Sequence, residues 1–298
     1  MSTTLAALSA DISALAATAA AATVTIGRSG RGSGIVIGTD EVLTSAHNLR
    51  DRTTQVTLPD GTEVQGELIA SDAHGDLAVL RAPTGGLSAL AIAEPGGIGA
   101  IVLAASGGRG NPRVATGIIG SVQRRFRGPG GRPVAGAFEH DAALPKGASG
   151  GPVLDVEGRL VGINTHRTGT GYFARPFDEA LLGRLESLRA GQDHIPRTLG
   201  VVLTPPHVAA KLRAAVGLDP APGALVRAVD PGGAAAAAGV REGDLVVAVR
   251  AGGDTAEVDG PDSLQAALDR FGTADQLDLD LVRGVETISV SITFTDES

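Results

Sequence analysis

Between Thr23 and about Thr170 the chain is a succession of short runs rich in Val, Ile, Leu and Thr, each closed by Gly, Asp or Pro. Val24–Ile26, Gly34–Ile37, Val42–Thr44, Gln55–Leu58, Glu63–Ala70 and Ala78–Arg81 form a first group. Ile101–Ala104, Gly117–Ser121, Val134–Glu139, Val153–Asp155 and Leu160–Asn164 form a second. Many short strands with regular turn signals predict a mainly β architecture, a barrel or a sandwich, and two groups fit two barrels. Aromatic residues are only 2% of the 298, so the cores must be built from Val, Ile, Leu and Ala, which the 43% hydrophobic content allows. The absence of cysteine excludes disulfide staples, a thiolate metal site and a cysteine nucleophile. A net charge of −8 argues against nucleic acid as a main partner.

Three short motifs carry the chemistry. Lys146-Gly147-Ala148-Ser149-Gly150-Gly151-Pro152 places one serine among small residues, as a turn presenting a nucleophile requires. Gly147 lets the backbone bend so that successive N–H groups converge on one point. Val42-Leu43-Thr44-Ser45-Ala46-His47 is an apolar strand ending in a histidine, and Asp76 opens the apolar strand Leu77–Leu80. Singly, the histidine reads as a loop or core residue and the aspartate as a turn residue. Together they give the chain order His, Asp, Ser, that of chymotrypsin-type enzymes and not of subtilisin or the α/β-hydrolases.

On these residues the chain resembles the HtrA (Deg) family, trypsin-like serine proteases with a C-terminal PDZ domain. The matching stretches are Gly32–Ile37, Leu43–His47, Asp76–Leu80, Thr116–Val122, Asp141–Leu144, Gly147–Pro152 and Leu160–Thr165. The resemblance implies a chymotrypsin-like double β-barrel with the active site in the cleft between barrels, and His47, Asp76 and Ser149 as catalytic residues. It makes the N–H groups of Gly147 and Ser149 the oxyanion hole. Ala143 and Leu144 fall where the family has the floor of its specificity pocket. Neither is acidic, so a small apolar pocket favouring Val or Ala is expected over one for Arg or Lys. Ala148 stands where the family usually has asparagine, a side chain that performs no chemistry.

The expected organisation is a helical segment at 1–22, a protease domain at 23–190 ending in the amphipathic helix Ala180–Arg189, a linker at 191–197 and a PDZ domain at 198–298. In the last, Leu199-Gly200-Val201 resembles the carboxylate-binding loop and its peptide-pairing strand, with the helix Asp262–Arg270 flanking the groove. Leu199, Gly200, Val201, Leu264 and Leu268 would bind a peptide C-terminus. Read as ordinary domain residues, the leucines among them are core.

At the N-terminus, Leu5, Leu8, Ile12 and Leu15 form a helical apolar stripe. No lysine or arginine precedes Arg28, and Asp11 with scattered Ser and Thr makes the segment too polar for a stable membrane span, so no export signal is legible. Localisation is therefore cytoplasmic by sequence and extracytoplasmic by family habit. The resemblance adds unfolded or misfolded proteins as substrates, peptide C-termini as ligands and a homotrimer. No cofactor is expected. The histidines His74, His140 and His166 lack metal-ligand spacing, and Arg31–Gly34 lacks the Lys-Ser/Thr of a phosphate loop. Arg124, Arg125, Arg127 and Arg132 read as a solvated loop. The alternative to an endopeptidase is a latent or inactive protease fold serving as a peptide-binding scaffold or holdase.

Overall fold

A run free of glycine and proline, dominated by alanine and leucine, makes Ser2–Ala21 a helix, α1. The structure, a computed structural model, describes residues 2–73, 75–108, 111–127, 133–193, 198–271 and 274–294. The end of α1 is seated: Ala19 is fully buried beside Ala105 and Leu154, and the Thr23 hydroxyl donates to the Ala19 carbonyl at 2.6 Å. Its outer part is bare, with Leu5 69%, Leu8 55% and Ile12 37% exposed. The expectation that this segment is too polar to span a membrane is corrected. Thr4–Ala21 has a mean hydropathy of 1.4 and suffices by length and composition, because the alanines and leucines outweigh Ser, Thr and the lone Asp11.

The chain divides into two units, Met1–Ile195 and Pro196–Ser298. In the first, β1 (Thr23–Ile26), β2 (Gly32–Gly38), β3 (Glu41–Thr44), β4 (Thr53–Thr57), β5 (Glu63–Asp72) and β6 (Leu77–Arg81) close a barrel in the order β1-β2-β3-β6-β5-β4. Val24, Ile26, Val36, Val42, Val56 and Leu80 fill it. A second barrel is made by β7 (Ile101–Ser106), β8 (Arg113–Arg127), β9 (Pro133–His140), β10 (Pro152–Leu154), β11 (Leu160–Arg167) and β12 (Tyr172–Pro176), in the order β10-β11-β12-β9-β8-β7. Val102, Ile119, Phe138, Val153 and Val161 fill that one. The fold is therefore mainly β, with two closed six-stranded barrels.

Two sequence expectations are corrected here. Residues up to Arg127 continue strand β8 where a solvated loop was expected; register shifts and Gln123 at φ 54° bend the strand so that Arg124 and Arg125 stay in solvent. Strand β12, absent from the reading, completes the barrel by pairing β11 with β9. Arg132, His74 and residues 194–197 of the expected linker lie outside the described residues.

After the second barrel the chain returns to the first. Asp178 caps α2 (Glu179–Arg189) by accepting from the Leu181 amide at 2.9 Å. Phe177, Leu181, Leu185 and Leu188 then pack with Ile35, Leu43 and Val79 of the first barrel and Leu160 and Ile163 of the second. Each such side chain contributes about 1.5–3 kcal/mol on burial, and the cluster ties the barrels together from one side.

The second unit holds β13 (Val201–Leu203), α3 (Pro206–Ala215), β14 (Ala224–Val229), α4 (Ala234–Ala237), β15 (Leu245–Ala251), β16 (Asp254–Glu257), α5 (Pro261–Arg270), β17 (Gln276–Arg283) and β18 (Glu286–Thr293). Its sheet runs β13-β14-β15-β17-β18, with β16 beside β15, so β13 is an edge strand. Leu264, Ala267 and Leu268 of α5 pack into its core with Val226, Val249 and Leu279.

Candidate active site and peptide groove

Asp76 sits at φ 54°, a left-handed conformation that aspartate tolerates better than most residues. This turn delivers its carboxylate, only 4% exposed, to the end of β3. The carboxylate accepts from the His47 backbone N–H at 3.0 Å and from His47 Nδ1 at 2.8 and 2.9 Å. The Thr165 hydroxyl donates to it at 3.3 Å. A buried carboxylate thus finds several donors, which offsets its desolvation. With Nδ1 donating, His47 Nε2 carries the lone pair. Behind Asp76, Arg175 donates to the Gly75 carbonyl. Burial pulls its guanidinium below the ordinary arginine value, while Asp72, Asp178 and Asp76 push it back up.

Ser149 is held at this pair from both sides. Its hydroxyl donates to the Thr165 carbonyl at 2.6 Å, the same residue whose side chain touches Asp76. Its carbonyl accepts from Ser33 N–H at 2.9 Å and from Asn48 Nδ2 at 2.9 Å, one residue beyond His47. The structure therefore brings His47 and Asp76 into direct contact and places Ser149 beside them. Among the described residues no hydrogen bond joins the Ser149 hydroxyl to His47. The amides of Gly147 and Ser149 likewise donate to no described group, and Gly147 lies at φ +90°, which leaves two neighbouring donors unspent.

The turn fits because it has no side chains. A Cβ on Gly150, at φ +87°, would lie 2.2 Å from the Ser33 carbonyl and 2.7 Å from Thr44 Oγ1. One on Gly32 would overlap the Asn48 side chain at 2.0 Å. Ser33 Oγ also donates to the Gly147 carbonyl at 2.7 Å and accepts from Gly107 N–H at 2.9 Å. Ala148 turns its methyl into the second barrel's core, fully buried among Val102, Ile119 and Val153.

Tyr172, the only tyrosine of the chain, fastens the approach to Ser149. Its hydroxyl donates to the Pro145 carbonyl at 2.6 Å, while burial raises its pKa above the ordinary value. The ring stacks on His140 at 6.4 Å. His140 is buried, with Nε2 on Asn164 Oδ1 at 2.8 Å and Nδ1 accepting from Ala142 N–H at 3.3 Å. Ala143 and Leu144 line a cavity of about 320 Å³ together with Tyr172, Arg113 and Arg167. Sequence reasoning missed Tyr172, Ser33, Asn48 and Thr165 as site residues; the lone tyrosine after Gly169-Thr170-Gly171 was the available signal. His166 stacks on Phe126 at 5.8 Å, and among the described residues no group of His, Asp and Glu is arranged to hold a metal.

In the second unit, Leu199, Gly200, Val201, Leu264 and Leu268 line one groove of about 490 Å³ between β13 and α5. Gly200 is at φ +72°, and a Cβ on it would lie 2.9 Å from the Gly233 Cα, so a side chain there is crowded as well as strained. Leu199, Leu264 and Leu268 are also core residues, buried to 3%, 1% and 7% exposure. The free edge of β13 leaves Val202 55% exposed.

Two outcomes are expected. Tyr172→Phe frees the Pro145 carbonyl; modification of Ser149 by a fluorophosphonate should slow about tenfold, while stability falls by only about 1 kcal/mol. Equal labelling rates would remove Tyr172 from the loop's support. Burial holds the His140 pKa below its ordinary 6.5, so the folded chain binds this proton less readily than the unfolded one. The stabilisation is full above that pH and is lost as pH falls through it toward the lower folded value, at up to about 1.4 kcal/mol per pH unit. Melting curves between pH 7.5 and 5 should show that slope, and His140→Gln should flatten it; parallel curves would refute the assignment.

Residues 32–163 match the trypsin-like peptidase domain family. The chain is 32% identical over 280 residues to a probable periplasmic serine endoprotease, DegP-like, of Halomonas elongata, covering 89% of this chain and 56% of the relative. It is 32% identical over 285 residues to the putative serine protease HhoA of a Synechocystis species, covering 88% of this chain and 70% of that one. The chain spans about half the length of the DegP-like relatives it matches. Among solved structures, a serine endoprotease from Yersinia pestis superposes with a TM-score of 0.67 at 26% identity, covering 94% of this chain and 96% of the other. The HtrA-type protease AlgW, determined with a decapeptide, gives 0.72 at 24% identity over 88% and 82% and shows the likeness of fold. The chain belongs to the HtrA (Deg) family of serine proteases.

Proposed function

We propose that the chain is a serine endopeptidase that cleaves unfolded or exposed polypeptide segments through Ser149, His47 and Asp76. The observation that carries this reading is the arrangement around Thr165, whose hydroxyl touches the His47-bound Asp76 carboxylate and whose carbonyl holds the Ser149 hydroxyl. In the reaction the hydroxyl leaves that carbonyl and turns to His47 Nε2, which takes its proton as Oγ attacks the peptide carbonyl. Asp76 keeps Nδ1 protonated and stabilises the imidazolium. The amides of Gly147 and Ser149 receive the oxyanion, each worth about 3 kcal/mol of barrier. His47 then passes the proton to the leaving amine, and water, activated by the same imidazole, releases the acid.

The groove of the second unit, read as a PDZ site, would bind a peptide C-terminus by strand addition to β13, with Leu264 and Leu268 against the last side chain. The names of the relatives and the apolar α1 support work outside the cytoplasm, and the bare stripe Leu5, Leu8 and Ile12 supports a homotrimer contact. The Ser149 hydroxyl bonded away from His47 supports a second reading, a latent protease fold acting as a peptide-binding scaffold.

Labelling with a fluorophosphonate serine probe separates the two. Rapid labelling of wild type, lost in Ser149→Ala and reduced at least a thousandfold in His47→Ala, is the expected result. A folded wild type that does not label would favour the scaffold. For the groove, an apolar-ended peptide with a free carboxylate should bind at least tenfold tighter than its amide, and Gly200→Val should abolish the difference. Equal affinities would refute the assignment.

A further inference from the structure

The cavity that Ala143 and Leu144 line is built on the stretch Ala142–Pro145 that leads into the Ser149 turn. Tyr172, on its wall, bonds the carbonyl of Pro145, which also lines the cavity, so the cavity and the Ser149 turn share one backbone stretch. On the proteolytic reading, this space is the one that receives the side chain of the substrate residue whose carbonyl faces Ser149. Its floor is apolar, from Ala142 and Leu144, both buried. Its charge comes from elsewhere in the chain.

Arg113, at the start of β8, and Arg167, at the end of β11, both line the cavity. Both are exposed, and among the described residues neither guanidinium has an ion pair or hydrogen-bond partner. Among the described residues no carboxylate lines the cavity, and the neighbouring Asp141 has its Oδ1 accepting from the Ile118 amide at 2.7 Å. The Arg167 charge reaches inside, where it favours the ionised form of the Tyr172 phenol against the effect of burial. Two unpaired guanidiniums thus converge on one pocket in a protein whose net charge is −8. Their mutual repulsion is relieved when an anion enters, and guanidinium is the side chain best shaped to receive a carboxylate.

We propose that this pocket takes an acidic side chain, glutamate above all, so that the chain cleaves preferentially after acidic residues. The inference rests on reading the Ser149 cleft as a proteolytic site. Glutamate's methylenes lie against Ala142, Ala143 and Leu144, and its carboxylate meets Arg113 and Arg167. A valine or alanine fills the floor and leaves both cations unanswered. Ala143 and Leu144 taken alone pointed to a small apolar preference; the two arginines, remote in sequence, change the selectivity of the same pocket.

The test uses peptides amidated at the C-terminus, so that the groove of the second unit makes no contribution, and identical except for Glu, Gln, Val or Lys before the scissile bond. With the full chain at low salt, kcat/KM for Glu should exceed that for Gln about tenfold, and the ratio should shrink as salt rises. Arg113→Gln and Arg167→Gln should each lower the Glu/Gln ratio about threefold, and together bring it near one. The same pair titrated against Ser149→Ala gives the preference as a ratio of affinities without turnover. A ratio at or below one, a preference for Val, or a ratio that both arginine variants leave unchanged would overturn the proposal. Preferential binding of Glu without cleavage of any peptide by wild type would sustain the pocket assignment and overturn the proteolytic reading instead.

Discussion

The Ser149 turn belongs to the second barrel in sequence and is hydrogen-bonded to both barrels, to Thr165 and Asn164 on one side and to Ser33 and Asn48 on the other. Ser33 holds the carbonyls of neither Ser149 nor Gly147 by chance: its amide takes the one and its hydroxyl the other, while Thr44 Oγ1 holds the Ser33 carbonyl at 2.6 Å and Asn48 bridges Thr44 to Ser149. These are buried bonds between small polar groups, where a lost partner costs about 1–3 kcal/mol. His47 lies between Thr44 and Asn48, so the knot that joins the barrels also fixes the position of the imidazole relative to the serine. The glycines at 32 and 150 are the complement of this knot, since a side chain at 150 would push Ser33 and Thr44 away and one at 32 would displace Asn48.

The rest of the site is arranged around that junction. Asp76 reaches His47 from a strained turn backed by the Arg175 cluster, and Tyr172 fixes the stretch between pocket and serine. With no cysteine and few aromatics, the scaffold has no disulfides and only a few rings, Tyr172 on His140 among them, to brace these loops. Hydrogen bonds to loop carbonyls and the burial of α2 take over that role. Ala148 illustrates the substitution: the loop is anchored there by a methyl in the barrel core rather than by a polar side chain.

What was legible in the sequence was whatever depends on local pattern. Apolar alternation closed by turns located nearly every barrel strand, and the small-residue run around Ser149 with His47 and Asp76 in order pointed to one chemistry. Tyr172–Pro176 escaped because glycines precede it and a proline ends it, so a five-residue strand looked like loop; pairing with β9 and β11 decides the matter in space. The arginines after Val122 escaped for the opposite reason. Charge reads as solvent, and an edge-exposed strand satisfies that reading while remaining a strand. Arg113 and Arg167 could not be joined from sequence at all, since nothing local relates the start of one strand to the end of another.

Thr165 gives the cleft a mechanical property. Its side chain is bonded to Asp76 and its carbonyl to the Ser149 hydroxyl, and both groups ride on one residue of β11, whose register shifts next to it. A small rotation of that peptide releases the serine and alters the support of the aspartate in a single motion. The Asp76 carboxylate and the Ser149 hydroxyl therefore do not relax independently: β11 acts as one lever, and whatever tugs on the loop between Arg167 and Tyr172 reaches both ends of it.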